Sequence, residues 1–118
     1  MKKILVVEDD YILSMINRKH LELMGHEVVD SVTNGPDAIE AARKHQPDAI
    51  LMDIRLEGPM TGIEAMLEIS KFSNAYVIYL TGNSEMEFKE TTSKTNMLAF
   101  CIKPIHFEEL SDILNKIK

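Results

Sequence analysis

The chain has 118 residues, 45% hydrophobic and 27% charged, which suits one globular domain spanning 1–118 and argues against disorder. A net charge of −6, without a basic helix, argues against nucleic-acid binding, which rests on Lys and Arg neutralising phosphates. One cysteine, Cys101, rules out an internal disulfide; no apolar stretch reaches membrane-spanning length, and the start "MKKILVVEDD" lacks a signal peptide's apolar core, so a cytoplasmic protein with no membrane partner is expected.

In chain order, the first apolar run is "ILVV" (Ile4–Val7), which stops on Glu8, Asp9 and Asp10. Tyr11–Met24 carries Ile12, Ile16, His20 and Leu23 at helical spacing, with Gly25 as a natural C-cap. A second run is Glu27–Val32, followed by a helix over Asp37–His45 with Ala38, Ala41, Ala42 and His45 on one side, stopped by Pro47. The third run, Asp48–Asp53, leads to a helix over Ile63–Lys71 marked by Ile63, Met66 and Ile69. The fourth, Tyr76–Thr81, precedes a polar, Thr-rich segment, Ser84–Asn96, read as a weak helix. The fifth, Met97–Ile102, leads to a last helix over Phe107–Ile117 with Phe107, Leu110, Leu114 and Ile117 as its apolar stripe.

Mostly continuous apolar runs read as strands buried on both faces, and their alternation with helices implies parallel strands joined by right-handed crossovers. The expected fold is a three-layer α/β sandwich with helices on both faces, and its ligand site belongs beyond the carboxyl ends of the strands. That edge would collect Glu8, Asp9, Asp53, Thr81 and Lys103. Taken singly, each has a plain explanation: a solvated turn for the acids, a helix cap for Asp10, a strand-end acid for Asp53, a turn residue for Thr81, a surface charge for Lys103. Taken together, three carboxylates beside a single lysine suit a hard divalent cation, and Mg²⁺ tolerates few protein ligands while keeping several waters.

In order and spacing, the pair Glu8–Asp9, Asp53 in "LMDIRL", Thr81–Gly82 and Lys103–Pro104 in "CIKPI" resemble the receiver domains of two-component response regulators, over essentially the whole length. The resemblance implies a flavodoxin-like fold with a five-stranded parallel sheet of order 2-1-3-4-5. It further implies that Asp53 is the phosphoacceptor, taking a phosphoryl group from a sensor histidine kinase or phosphotransfer protein. Mg²⁺ would be held by Asp9, Asp53 and the backbone carbonyl of Arg55, with Glu8 acting through water. Lys103 would pair with Asp53 and then with a phosphoryl oxygen, and Thr81 would bond another. Arg55 and Asn83 would tune the lifetime of the acyl phosphate, and the Lys103–Pro104 peptide would be cis. Phe100, on the fifth strand, would be the switch aromatic that follows Thr81 inward, or else ordinary core. The signalling surface would be the face built from Ser84–Asn96, the fifth strand and the last helix.

"RLEGPMTGIEA" (Arg55–Ala65) carries one residue more than the commonest family spacing before Gly62. A flavodoxin-type FMN carrier would need a Ser/Thr/Gly-rich phosphate loop where "EDDYIL" stands, and an aspartyl-nucleophile phosphatase would need its nucleophile at the end of the first strand within a DxD pattern, which "EDDYI" does not supply. The remaining alternative is a receiver-like docking module that works without phosphorylation. His20, His26, His45 and His106 show no zinc spacing, Cys101 reads as a small buried residue, and the methionines read as core filler. The expectation is a phosphorelay signalling domain, not an enzyme, without an output domain, and monomeric or weakly dimeric on phosphorylation.

Overall fold

A computed structural model describes residues 1–82 and 94–117. Five parallel strands, β1 (Lys3–Val7), β2 (Glu27–Val32), β3 (Ala49–Asp53), β4 (Tyr76–Thr81) and β5 (Met97–Ile102), form one sheet in the order β2-β1-β3-β4-β5. Helices α1 (Tyr11–Leu23) and the last helix (Phe107–Leu114) cover one face; α2 (Gly35–His45) and α3 (Gly62–Ile69) cover the other. This is the expected three-layer, flavodoxin-like sandwich. Of the segment read as a weak helix, only Lys94–Asn96 is described; the rest, with Asn83, lies outside the described residues.

Alternation along each inner strand divides the core in two. Leu5, Val7, Ile50, Met52, Val77 and Tyr79 face α2 and α3, where Ala38, Ala41, Ala42, Ile63, Met66 and Ile69 meet them. Ile4, Val6, Leu51, Ile78 and Leu80 face Leu21 of α1 and Leu110, Ile113 and Leu114 of the last helix. Three alanines on α2 let that helix approach the sheet closely. Because β1, β3 and β4 are buried on both faces, they read as unbroken apolar runs, whereas the edge strand β2 is only half-buried.

Local chemistry sets the helix ends. Asp10 caps α1, its Oδ1 accepting from Ile12 N–H at 2.9 Å and Leu13 N–H at 3.1 Å. Asn34 caps α2, which begins at Gly35, two residues before the start the apolar pattern marks, and Thr61 and Glu64 form a reciprocal capping box on α3. The last helix ends at Leu114, short of the expected Ile117, which still packs against the core.

Helix α1 departs from its apolar pattern in one respect. Ile12, Ile16 and Leu23, which mark it as a helix, are exposed at 62%, 41% and 72%, while its buried residues are Ser14, Asn17 and Leu21. The inward Ser14 hydroxyl is hydrogen-bonded to that of Ser31 on β2 at 2.8 Å, which compensates the burial of both polar groups.

Candidate functional site

The three central strands β1, β3 and β4 all end at one edge of the sheet, and each carries a polar residue there into otherwise apolar surroundings. Asp53 is the last residue of β3 and is 1% exposed; Thr81 is the last of β4 and is also buried. Glu8 follows β1 directly, anchored by its N–H to the Val32 carbonyl at 3.0 Å, and is 2% exposed. Asp9, one residue on, is exposed.

Lys103 enters from beyond β5. Its backbone N–H donates to the Thr81 carbonyl at 2.7 Å, and the Lys103–Pro104 peptide is cis. Its Nζ donates to Asp53 Oδ2 at 2.9 Å and to Glu8 Oε1 at 3.3 Å. Burial opposes charge on this ammonium, but the hydrogen bond and charge of Asp53, with Glu8 behind them, prevail and raise its pKa above the ordinary value. Burial pushes the Glu8 carboxyl up to about 7; the neighbouring Asp53 adds to the rise, and the Asp10 N–H, bonded to Glu8 Oε2 at 3.0 Å, works against it. The pocket thus holds more negative charge than one lysine compensates.

Glu8, Asp9 and Asp53 each offer a carboxylate oxygen, all within 4.8 Å of one another. Oxygens around an octahedral ion with bonds near 2.1 Å stand roughly 3–4 Å apart, so a small inward adjustment suits this donor set to Mg²⁺. All-oxygen, anionic donors favour a hard cation over zinc or copper. A shallow cavity of about 200 Å³ beside the acids is lined by Glu8, Asp9, Tyr11, Ser14, Arg18, Ser31 and Thr33.

The chain after Asp53 is tied down at short range. Arg55 N–H donates to Asp53 Oδ1 at 3.2 Å, Ile54 N–H to the Leu80 carbonyl at 3.0 Å, and Gly62 N–H to the Ile54 carbonyl at 2.8 Å. The Arg55 side chain is exposed. A Cβ at Gly62 would collide with the Asp53 carbonyl oxygen, and it would stand 2.8 Å from Met52 Cγ, so only glycine lets α3 begin this close to the strand end. Phe100 stands apart from the acids. It pairs in register with Tyr79, is half-buried against the core, and its ring centroid lies 6.2 Å from that of Tyr79.

The structure therefore brings Glu8, Asp9, Asp53 and Lys103 together, with Thr81 bound to Lys103 through the backbone. The sequence reading missed the second partner of Lys103, Glu8, because a strand pattern does not give side-chain reach across the sheet. It also missed Thr33 and Glu57, whose side chains bond at 2.9 Å between the loops after β2 and β3. "TNGP" signals a turn, but nothing in it names a partner 24 residues on.

Residues 4–115 match the family described as the response regulator receiver domain. The chain is 30% identical over 117 residues to the chemotaxis protein CheY of Thermotoga maritima, covering 98% of this chain and 97% of that one. It is 28% identical over 109 residues to the transcriptional regulatory protein PdtaR of Mycobacterium tuberculosis, covering 92% of this chain but only 53% of PdtaR, about half its length. Among solved structures, the signal receiver domain of a modulated diguanylate cyclase from Desulfovibrio desulfuricans G20 is similar with a TM-score of 0.90 and 26% identity, covering 99% of this chain and 93% of that one.

Proposed function

The chain belongs to the response regulator receiver domain family of two-component signalling, and we propose that Asp53 is its phosphoacceptor, charged by a histidine kinase or a phosphotransfer protein. The observation that carries this reading is the buried Asp53 carboxylate held by Lys103 at 2.9 Å beside Glu8 and Asp9. Receiver domains are signalling modules rather than metabolic enzymes, and no described helix is long and apolar enough to cross a membrane.

An Asp53 oxygen attacks phosphorus in line. The new O–P bond makes an acyl phosphate, and the P–N bond to the donor histidine breaks, its electron pair staying on the imidazole. Asp9, Asp53 and the Arg55 carbonyl would hold Mg²⁺, with Glu8 reaching it through water. The ion, when bound, neutralises charge on the phosphoryl oxygens in flight. Lys103 moves its hydrogen bond from the Asp53 oxygen to a phosphoryl oxygen, and the Thr81 hydroxyl takes another. By the family resemblance, Arg55 and Asn83 would set how fast water reaches the product. Phe100, half-buried beside Tyr79, would repack when Thr81 moves. Lacking a hydroxyl, it transmits the change by packing, to partners on the face of β5 and the last helix. The donor would dock on α1, the helix that follows the acids, where Ile12, Met15 and Ile16 are exposed.

The lability of the new bond tests the reading. Protein labelled with radioactive acetyl phosphate in Mg²⁺ loses its label to neutral hydroxylamine, which cleaves acyl phosphates. A hydroxylamine-resistant label would place the phosphoryl group on a hydroxyl and overturn the assignment to Asp53.

A further inference from the structure

Past the end of β1 the chain turns away into α1, and the two strands that β1 separates come together. In the sheet β1 lies between β2 and β3, yet Asn34, just beyond β2, forms a parallel bridge with Glu57, beyond β3. Glu57 N–H donates to the Thr33 carbonyl at 3.3 Å, and Thr33 Oγ1 donates to Glu57 Oε1 at 2.9 Å. Of these links, the hydroxyl–carboxylate bond is the one a side-chain substitution removes.

This strap runs beside the acids. Thr33 shares the lining of the cavity of about 200 Å³ with Glu8 and Asp9. Glu57 lies two residues beyond Arg55, whose N–H is already on Asp53 Oδ1. Residues 55–57 are therefore pinned at both ends, to Asp53 at one and to the β2–α2 turn at the other. Gly58, with φ of +84°, then lets the chain turn away in a conformation other residues rarely adopt. A loop longer than the common family spacing has more conformations to lose on ordering, and a tether across its middle reduces them.

We propose that Thr33 and Glu57 are a positioning pair for the Asp53 site: their hydrogen bond fixes residues 55–57 and so the Arg55 carbonyl that would help hold a divalent cation. The inference rests on the receiver reading above for that carbonyl's role. It separates from two simpler roles of Glu57, one as an additional negative charge near the cation and one as a purely stabilising contact.

The experiment is a Mg²⁺ titration of the full chain followed by ¹H–¹⁵N NMR, with urea unfolding of each variant alongside. Glu57→Ala and Thr33→Val are expected to weaken Mg²⁺ binding about three- to tenfold, the range one hydrogen bond commands. Glu57→Gln and Thr33→Ser, which retain the acceptor and the donor, are expected to bind within about twofold of the wild type. Unfolding midpoints should move too little to account for the loss. Equal weakening by Glu57→Gln and Glu57→Ala would assign the effect to charge and overturn the proposal. So would unchanged affinity in Glu57→Ala and Thr33→Val, or no Mg²⁺ binding by the wild type. Acetyl phosphate labelling of the wild type is read separately: a chain that binds Mg²⁺ but takes no phosphoryl group refutes the receiver reading, while the variants' Mg²⁺ affinities still decide the tether.

Discussion

Lys103 Nζ stands 2.9 Å from Asp53 Oδ2 and 3.3 Å from Glu8 Oε1, so one ammonium holds together two buried carboxylates from neighbouring strands. Removing it takes away a charge that holds the Glu8 pKa down, so Glu8 must take up a proton or two like charges meet with little water to screen them. Lys103→Met is expected to cost about 1–3 kcal/mol in Mg²⁺-free buffer, the range for an uncompensated buried polar group. Added Mg²⁺ should recover part of that loss by replacing the missing positive charge. Urea unfolding with and without the ion reads both effects, and an unchanged midpoint in Mg²⁺-free buffer would show that Glu8 and Asp53 do not depend on this lysine.

The three consecutive acids divide their work, and two substitutions separate them. Asp10 is the N-cap of α1, so Asp10→Ala should cost about 1 kcal/mol of stability and leave Mg²⁺ affinity near that of the wild type. Asp9 is exposed, and no described side-chain hydrogen bond holds it. Asp9→Ala should leave stability within about 0.5 kcal/mol and weaken Mg²⁺ binding at least ~10-fold. Equal Mg²⁺ affinity in the two variants would remove Asp9 from the donor set.

Gly62→Ala usually counts as a helix-favouring change, worth about 1 kcal/mol in an exposed helix interior. Here the added Cβ meets the Asp53 carbonyl oxygen and Met52 Cγ, and backbone cannot step aside as a flexible side chain does. The expected result is a net loss of about 1–3 kcal/mol together with slower phosphorylation, because the displaced group is the backbone carbonyl of the proposed phosphoacceptor. Chemical denaturation and acetyl phosphate labelling measure the two effects.

Histidine 26 supplies a pH dependence far from the acids. Its Nδ1 accepts the Lys2 N–H at 3.0 Å, and burial, followed by the positive N-terminus and Lys2, lowers its pKa below the ordinary 6.5. The unfolded chain therefore takes up this proton first as pH falls. The contribution of His26 to stability is complete above about pH 6.5 and declines between there and the folded-state pKa. The difference in unfolding midpoint between wild type and His26→Asn should shrink over that interval. A difference that grows on acidification would reverse the sign of the shift.

The strand plan and the edge at which the acids gather were legible because both depend on chain-local patterns: unbroken apolar runs for β1, β3 and β4, and polar residues at their ends. What was not legible depends on contacts between distant segments. Helix α1 carries apolar residues on more than one side, so periodicity marked a helix while leaving open which side is buried. The buried side carries Leu21 in the core and Ser14 bonded to Ser31, and that bond needs β2 in place. The reach of Lys103 to Glu8 and the Thr33–Glu57 strap are likewise consequences of sheet order. Helix ends were displaced at α2 because the Asn34 cap is polar and lies outside the apolar pattern.

The central claim is that Asp53 accepts a phosphoryl group with Mg²⁺ held by its neighbours. Intact mass after incubation with acetyl phosphate, with and without Mg²⁺, for wild type and Asp53→Asn, tests it most directly. The account predicts one phosphoryl adduct that requires Mg²⁺ and is absent from Asp53→Asn. An adduct persisting in Asp53→Asn, or none in the wild type under conditions that label another receiver domain, would contradict it.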